Sequence, residues 1–278
     1  MDLSVVILNY NSKEFLLPCI KGIHEHTTDL DFEIIIVDNR STDGSAAYVE
    51  QTLKPRFPEI RFLEADHNGG YAFGNNIGIA AARGRYVLIM NPDIVIWENS
   101  LKRMVDFMDA HPKVGIAGPR LLSPDGTLQY FCYQFPSPQV LAYRRTPLAR
   151  ASFARRSVRE YLMMDWDHRD NRPVDWVQGS CMIARSDAIK KVGPMDERFF
   201  LFLEDTDWCR RFWNHGYEVW YLADVEIIHY HSRASDAGQF YKSLFNRMAW
   251  IHVASAYKYF RKWGAGRTRF ARHQTGEV

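Results

Sequence analysis

The stretch that decides the fold is LSVVILNYNS, residues 3–12, near the start of the chain. Its first six residues are apolar apart from one serine and rich in β-branched side chains, a pattern typical of a short, fully buried strand. Asn9, Tyr10 and Asn11 then interrupt the apolar run, and the serine that follows can cap a helix. The stretch therefore predicts a buried strand that ends in a polar loop and leads into a helix.

The same order of strand, polar loop and helix recurs along the N-terminal half. Apolar runs at Phe32–Val37, Ile60–Leu63 and Arg85–Met90 predict three more strands, with helices expected at about 43–53 and 71–82. Strands that alternate with helices form a mostly parallel sheet with helices on both faces. The predicted fold class is therefore α/β, with a Rossmann-like sheet.

Polar side chains follow each of the first two predicted strands. Asp38 and Asn39 come after the second strand, as Asn9, Tyr10 and Asn11 come after the first. Ligands of such sheets bind outside the carboxyl ends of the strands. Carboxylate and amide groups can pair with the edge of a pyrimidine, and the tyrosine ring can stack on it. The alternative is that Asp38 only forms a turn.

A glycine-rich segment, HNGGYAFGNNIG at residues 67–78, runs into the third predicted helix. Gly70, Gly74 and Gly78 recur every four residues and share one helix face, which differs from the GxGxxG pattern of dinucleotide-binding proteins. The start of this helix could face a diphosphate. The alternative is close packing of the small residues against the sheet.

The fourth predicted strand ends in Asn91-Pro92-Asp93. Pro92 stops the strand and fixes the turn, because proline cannot donate to the ladder of hydrogen bonds. Asp93 then offers an oxygen ligand to a divalent cation, and such cations often combine one or two carboxylates with substrate phosphates. The turn is therefore a candidate metal site.

A second acidic cluster lies in the aromatic stretch Gly193–Arg211. Glu204 and Asp205 stand where this stretch turns helical, and a carboxylate at a helix start beside an apolar wall can act as a general base. The alternative is a plain helix N-terminus, stabilised by acidic side chains and by an Asp207–Arg211 pair one turn apart.

Taken in order, these motifs resemble those of glycosyltransferase family 2, the inverting enzymes with the GT-A fold. The resemblance rests on SVVILNYN, VDNRSTDGS, NGGYAFGNNIG, NPDI, GPMDERFF and EDTDW, and it spans about residues 3–235. Within the family the chain looks most like the bacterial rhamnosyltransferase-type branch. We therefore expect a GT-A domain at residues 1–235 and a C-terminal helix and tail at residues 236–278.

The resemblance implies a nucleotide-diphosphate sugar as donor and Mg²⁺ or Mn²⁺ as cofactor. Asn91 stands where relatives carry the first acid of a DxD motif, so Asp93 is the implied metal ligand. His229 is the implied second ligand, with His231 as an alternative, and the family pattern pairs it with Ser235. The residues implied to bind the nucleotide sugar are Asn9, Tyr10, Asn11, Asp38, Asn39, Asn68, Gly69, Asn75, Arg83, Asn91 and Gly179.

The resemblance also implies that Asp205 is the catalytic base and that Glu204 orients the base or the acceptor. Inversion by a single displacement needs a base on the acceptor hydroxyl and no covalent nucleophile. The QxxRW signature of processive relatives is absent, so transfer of a single sugar is expected.

The expected donor is dTDP-rhamnose or a UDP-hexose. The expected acceptor is a saccharide or a polyprenyl-diphosphate-linked saccharide in cell-surface polysaccharide synthesis. Two other functions stay open: a sugar nucleotidyltransferase, and an inactive protein that binds sugar nucleotides or glycans. The sugar, the linkage and the oligomeric state also stay open.

Composition places the chain among ordinary soluble proteins. It has 278 residues, a net charge of +2 and four cysteines that form no CxxC motif. No apolar run reaches the roughly 20 residues that span a bilayer, and the N-terminus lacks a signal-peptide pattern. We therefore expect a cytoplasmic protein with free thiols.

Two later regions bear on the acceptor. Residues 132–172 are rich in proline and arginine and predict a mobile loop, either beside an anionic acceptor or simply solvated. Residues 236–263 read as a helix in which aromatic and basic side chains alternate. Such a helix suits peripheral contact with the inner face of the cell membrane, or docking on the sheet. No nucleic-acid-binding motif accompanies the basic charge.

Overall fold

The predicted alternation of strands and helices builds one central sheet. The computed structural model describes residues 1–144, 151–230, 247–266 and 270. The strands are β1 (Leu3–Asn9), β2 (Phe32–Asp38), β3 (Arg61–Glu64), β4 (Tyr86–Met90), β5 (Ile94–Val95), β6 (Val114–Leu122), β7 (Cys132–Tyr133), β8 (Arg172–Pro173), β9 (Trp176–Val177), β10 (Cys181–Arg185) and β11 (Glu218–His229). Within the described residues, eight strands follow the order β3-β2-β1-β4-β10-β6-β11-β5, and β8 adds to β11. β7 and β9 form a separate pair.

Helices cover both faces of this sheet. They are α1 (Lys13–Glu25), α2 (Ser45–Tyr48), α3 (Lys54–Arg56), α4 (Tyr71–Ala81), α5 (Ser100–Ala110), α6 (Pro138–Arg144), α7 (Ser152–Tyr161), α8 (Ser186–Val192), α9 (Glu204–Asn214) and α10 (Arg247–Trp263), and a π-helical turn, Val49–Leu53, joins α2 to α3. The chain steps from β1 to β2 to β3 in one direction and returns to the other side of β1 as β4. Because crossovers between parallel strands are right-handed, α4 lies on the face opposite α1.

The parallel half of the sheet confirms the N-terminal predictions. β1 pairs in parallel with β2 and β4, and β2 pairs in parallel with β3. All seven residues of β1 are buried, which the double cover of helices explains. In this register Asn9 lies directly opposite Asp38 at the carboxyl ends of the strands. The polar loops predicted after these strands therefore meet at one edge of the sheet.

The other half of the sheet is mixed. β10 runs antiparallel between β4 and β6, while β11 pairs in parallel with β6. The sequence predicts two late strands at 217–222 and 225–228, and this division is wrong. The structure has one strand, β11, whose register with β6 shifts between Leu222 and Glu226. A bulge absorbs the extra residues, so pairing continues where the sequence suggests a break.

The region 132–172 is not the irregular loop that the sequence predicts. Its described part contains β7, α6 and α7, and residues 145–150 lie outside the described residues. Leu141 of α6 is buried in a small cluster with Phe199 and Tyr259, and Tyr161 of α7 stacks on Tyr133 with ring centroids 5.5 Å apart. These partners come from distant parts of the chain, so local periodicity could not indicate them.

Helix α10 docks on the domain beside α9. Ser255 Oγ donates a hydrogen bond to the carbonyl of Leu201 at 2.8 Å, and Tyr259 is fully buried. The boundary expected between residues 235 and 236 lies outside the described residues and stays a prediction. Among the helices of the described residues, none is long and apolar enough to cross a membrane.

Candidate functional site

The first part of the site lies where β1 and β2 end. Asn9 Nδ2 donates to Asp38 Oδ1 at 2.7 Å, and Asp38 Oδ2 accepts from the backbone N–H of Ser41 at 2.8 Å. Both Asn9 and Asp38 are buried. The carboxylate is therefore held rigidly at the sheet edge by two neighbouring segments.

The loop after β1 is braced against the loop after β2. Asn11 has a positive φ of 52°, and its Oδ1 accepts a hydrogen bond from the backbone N–H of Thr42 at 2.7 Å. Its own N–H donates to Ser41 Oγ at 2.9 Å. Tyr10 lies between these anchors and is 49% exposed. Its ring is thus presented to solvent from a fixed backbone and is available to stack on a base.

Three asparagines next to this edge present unsatisfied acceptors. Asn39 Nδ2 donates to Asn68 Oδ1 at 2.9 Å and to the carbonyl of Gly70 at 3.1 Å. Asn75 Nδ2 donates to the carbonyl of Tyr71 at 3.0 Å. In the described part of the chain, no hydrogen-bond partner is present for the buried Oδ1 atoms of Asn9, Asn39 and Asn75. Because buried polar atoms are normally paired, these atoms mark where a polar ligand can bind.

The glycine spacing of α4 serves close packing. A Cβ on Gly74 would come within 2.3 Å of Leu8 Cδ1, and a Cβ on Gly78 within 2.2 Å of Val6 Cγ1. At the start of the helix, the N–H of Tyr71 donates to the carbonyl of Phe200 at 2.7 Å. One of the first backbone donors is therefore already occupied by the protein, which favours the packing role over a diphosphate site.

Glu204 and Asp205 form the second part of the site, at the N-terminus of α9. Asp205 Oδ2 accepts from the N–H of Gly179 at 2.9 Å, and Oδ1 accepts from the N–H of Thr206 at 2.7 Å. Burial raises the pKa of Asp205, and these hydrogen bonds counteract the rise. Burial and the neighbouring Asp205 carboxylate raise the pKa of Glu204 well above its usual range. Glu204 Oε2 is buried, with no hydrogen-bond partner among the described residues.

Gly179 connects this pair to the nucleotide edge. Its N–H binds Asp205, while its carbonyl accepts a hydrogen bond from Tyr71 Oη at 2.6 Å. A chain of contacts thus runs from Asn39 through Gly70 and Tyr71 to Gly179 and on to Asp205. Burial and the two nearby carboxylates raise the pKa of Tyr71. Nothing in the sequence indicates a role for Tyr71, because its partner Gly179 lies 108 positions away.

Asp93 and His229 form the third part, where β5 pairs with the end of β11. His229 Nε2 lies 3.4 Å from Asp93 Oδ1, a buried oxygen that has no hydrogen-bond partner in the described residues. The Nδ1 atom of His229 lies 2.8 Å from Gln129 Oε1. If Nδ1 carries the proton and donates it to Gln129, the lone pair of Nε2 faces Asp93, as a metal ligand requires.

These residues fit a divalent cation. An orphaned carboxylate oxygen and an imidazole nitrogen converge, and within the described residues no third His, Cys, Asp or Glu joins them to complete a protein cage. Two protein ligands leave room for diphosphate oxygens and water. Gln129, which orients His229, lies 100 positions from it in the chain and carries no signal in the sequence. His231 and Ser235, the other residues of that pattern, lie outside the described residues.

Asn91 and Arg83 have different positions relative to the site. The N–H of Asn91 donates to the carbonyl of Ser180 at 2.9 Å, which places the turn after β4 beside Gly179. The N–H of Arg83 donates to Ser4 Oγ at 3.0 Å, near the amino end of β1. Arg83 is therefore at the edge opposite the site. The structure does not bring it together with the other predicted residues, and we omit it from the donor site.

The fold and the site define a glycosyltransferase with the GT-A fold. The family profile described as "Glycosyl transferase family 2" matches residues 4–176. The chain belongs to this family.

Two curated relatives are similar over most of the chain. N-acetylglucosaminyl-diphospho-decaprenol L-rhamnosyltransferase of Mycobacterium tuberculosis (strain CDC 1551 / Oshkosh) is 28% identical over 239 residues, which cover 75% of this chain and 70% of the relative. Rhamnosyltransferase WbbL of Escherichia coli (strain K12) is 22% identical over 267 residues, which cover 92% of this chain and 91% of the relative. The chain therefore resembles rhamnosyltransferases within the family.

A solved structure supports the fold. The crystal structure of GalNAc-T7 with UDP, GalNAc and Mn²⁺ superposes with a TM-score of 0.62 at 13% sequence identity. The match covers 82% of this chain and 44% of that one. At this identity the similarity concerns the GT-A fold alone.

Proposed function

We propose that the protein is a metal-dependent, inverting glycosyltransferase that moves one sugar from a nucleotide-diphosphate sugar to a lipid-linked or free saccharide. The observation that carries the proposal is the chain of contacts from Asn39 to Asp205. These contacts hold the sheet edge proposed to bind the nucleoside at a set distance from the carboxylate proposed as the general base. Fixed spacing of this kind holds two substrates in line for reaction.

The nucleoside binds at the ends of β1 and β2. One of the acceptors here, the Asp38 carboxylate or the unsatisfied amide oxygen of Asn9 or Asn39, can accept a hydrogen bond from the single ring N–H of a thymine or uracil. Tyr10 stacks on the ring. The similarity to rhamnosyltransferases supports dTDP-rhamnose as donor, and a UDP-hexose is the second candidate because both carry a pyrimidine.

Asp93 and His229 would hold Mg²⁺ or Mn²⁺ together with the diphosphate. Once bound, the metal would supply positive charge for the leaving diphosphate. Gln129 keeps the His229 ring in place, and Asn91 positions the turn that carries Asp93 through its bond to Ser180.

Asp205 accepts the proton of the acceptor hydroxyl while the oxygen of that hydroxyl forms a bond to the anomeric carbon of the donor sugar. The bond from that carbon to the diphosphate breaks on the opposite side, so the configuration inverts. Gly179 holds Asp205 in place through its N–H, and Glu204, which lies beside the base, orients the acceptor.

The acceptor is proposed to be a polyprenyl-diphosphate-linked saccharide used in cell-surface polysaccharide synthesis. The name of the mycobacterial relative, with its diphospho-decaprenol acceptor, supports this choice. Such an acceptor lies in a membrane, so the protein would act from the cytoplasm in peripheral contact with the inner face of the cell membrane.

Asp205→Asn tests the proposal, because it keeps the size of the side chain and removes the base. We expect the rate of sugar transfer from dTDP-rhamnose or UDP-hexoses to lipid-linked N-acetylglucosamine to fall by about 10²–10⁴-fold. Asp187→Asn is the matched control, since Asp187 is an exposed acid in the first turn of α8. Wild-type rates in Asp205→Asn would refute the assignment of the base.

If the wild-type protein binds a nucleotide sugar and yet transfers sugar from none of the donors, that result would favour the alternative of an inactive protein that binds sugar nucleotides. Pyrophosphate-dependent formation of a nucleotide sugar would favour the nucleotidyltransferase.

A further inference from the structure

Helix α10 has two faces with different surroundings. The inner face packs on the domain through Ser255 and Tyr259. The other side carries Trp250, Val253 and Tyr257, which are 62%, 53% and 67% exposed. Residues three, four and seven apart share a side of a helix, so these three form one apolar stripe. Large exposed side chains grouped in this way mark an interaction surface.

Basic residues flank the stripe. Arg247 and Arg261 are exposed and lie on the same side of the helix by their spacing. Lys258 is also exposed, but its ammonium donates a hydrogen bond to the carbonyl of Arg198 on the domain. The 17 residues Arg247–Trp263 contain no Asp or Glu. We call the side formed by the two arginines and the apolar stripe the outer face of α10.

We propose that the outer face of α10 binds an anionic lipid surface, with the helix lying along the membrane plane. Tryptophan and tyrosine favour the boundary between headgroups and acyl chains, where an apolar ring and a polar edge are both accommodated. Arginine and lysine at the same level attract anionic headgroups. A helix that has exposed aromatic and basic residues and no acid is complementary in charge to such a surface.

The position of α10 connects this surface to the reaction. The inner face contacts Leu201, three residues before Glu204, so the helix lies beside the segment that leads into the two carboxyls. A membrane under the outer face would bring a lipid-linked acceptor close to them. This link to the acceptor rests on the proposed function, whereas lipid binding itself does not.

The test uses the full-length protein and sucrose-loaded vesicles, without donor or acceptor. We expect co-sedimentation with vesicles of phosphatidylcholine and phosphatidylglycerol, and at least about tenfold weaker binding to phosphatidylcholine alone, because two or more cations face the headgroups. Binding to anionic vesicles should weaken as salt is raised. Equal binding to both vesicle types, or none to either, would overturn the proposal.

Two double variants separate the apolar and basic contributions. Trp250→Ser/Tyr257→Ser should weaken binding to anionic vesicles by about tenfold or more, because two aromatic side chains leave the interface. Arg247→Gln/Arg261→Gln should weaken binding to anionic vesicles by a similar factor, because each removed charge weakens binding by about fivefold.

The control is Trp97→Ser/Phe153→Ser, which removes two exposed aromatic side chains from other parts of the surface. This control should bind vesicles as the wild type does. A loss in the control equal to that in the α10 variants would place the lipid surface elsewhere and overturn the proposal.

Nucleotide binding distinguishes the two proposals. All three variants should keep the thermal stabilisation that dTDP or UDP gives the wild type, because their substitutions lie outside the donor site. Vesicle binding without nucleotide binding would support the lipid surface and refute the proposed function. Nucleotide binding without vesicle binding would support the proposed function and refute the lipid surface. It would then favour a protein partner for the outer face.

Discussion

At the scale of single residues, Glu204 and Asp205 share a buried position but are held differently. Two backbone N–H groups donate to Asp205, whereas Glu204 Oε2 has no hydrogen-bond partner in the described part of the chain. Hydrogen bonds to a carboxylate favour its ionised form, and burial without them favours the protonated form. Of the two carboxyls, Asp205 is therefore the one that ionises first and can act as a base.

Glu204→Gln should flatten the decline of stability with pH. Folding raises the pKa of Glu204. Its contribution to the free energy of unfolding is therefore fully present below the pKa that Glu204 has in the unfolded chain, and is lost as the pH rises through the pKa that it has in the folded protein. The wild type should therefore lose more stability than the variant as the pH rises from about 4 to 8. Urea unfolding at several pH values measures this difference.

The exposed acid Glu14, in the first turn of α1, provides the control. Glu14→Gln should leave the pH dependence as in the wild type, because this side chain is exposed to water in the folded protein as well. Parallel stability curves for wild type and Glu204→Gln would contradict the burial argument.

At the scale of elements, the contact between α9 and α10 explains a third acid of the same motif. Asp207 is fully buried and accepts from Arg211 Nε at 3.0 Å, as the sequence predicts. It also accepts from Trp263 Nε1 at 2.7 Å and forms an ion pair with Lys262 at 2.8 Å. Asp207 thus joins the helix that carries the base to the C-terminal helix.

Lys262→Met should destabilise the protein by about 2–3 kcal/mol, because it removes one partner of a buried carboxylate. Lys102→Met is the matched control: Lys102 pairs with Asp106 on the exposed side of α5, and such pairs contribute less than about 0.5 kcal/mol. Urea unfolding of the two variants measures the difference. A Lys262→Met effect as small as that of the control would show that Arg211 and Trp263 suffice.

The sequence predicted elements whose signals are local. The apolar runs of β1, β2 and β4, and the polar residues after them, could be recognised because each strand and its loop are contiguous. The bulge in β11 and the helices α6 and α7 could not, because they depend on pairing or packing with remote residues. For the same reason the sequence singled out Asp205 but not Tyr71 or Gln129, whose partners lie far away in the chain.

At the scale of the whole molecule, the site lies where the two halves of the sheet meet. The parallel half supplies Asn9 and Asp38, and the end of β11 in the mixed half supplies His229. Asp205 comes from the start of helix α9. Asp93 follows β4, the strand of the parallel half that borders β10, and its Oδ1 lies 3.4 Å from His229 Nε2 at the end of β11. A metal bound there would contact Asp93 and His229 and, in the proposed function, the diphosphate as well.

Metal and nucleotide should therefore bind with positive linkage, since each completes the surroundings of the other. Mn²⁺ at about 100 times its dissociation constant should add about 2.7 kcal/mol of stability to the complex with dTDP or UDP, and less without nucleotide. Asp93→Asn should keep part of the stabilisation by nucleotide and lose the increment from Mn²⁺. Asp66→Asn, at an exposed position, should gain the same stability from Mn²⁺ and nucleotide as the wild type does.

Thermal unfolding with each ligand alone and with both together measures the linkage. An Mn²⁺ increment that is equal with and without nucleotide, or equal in Asp93→Asn and wild type, would mean that the metal does not bridge Asp93 and the diphosphate.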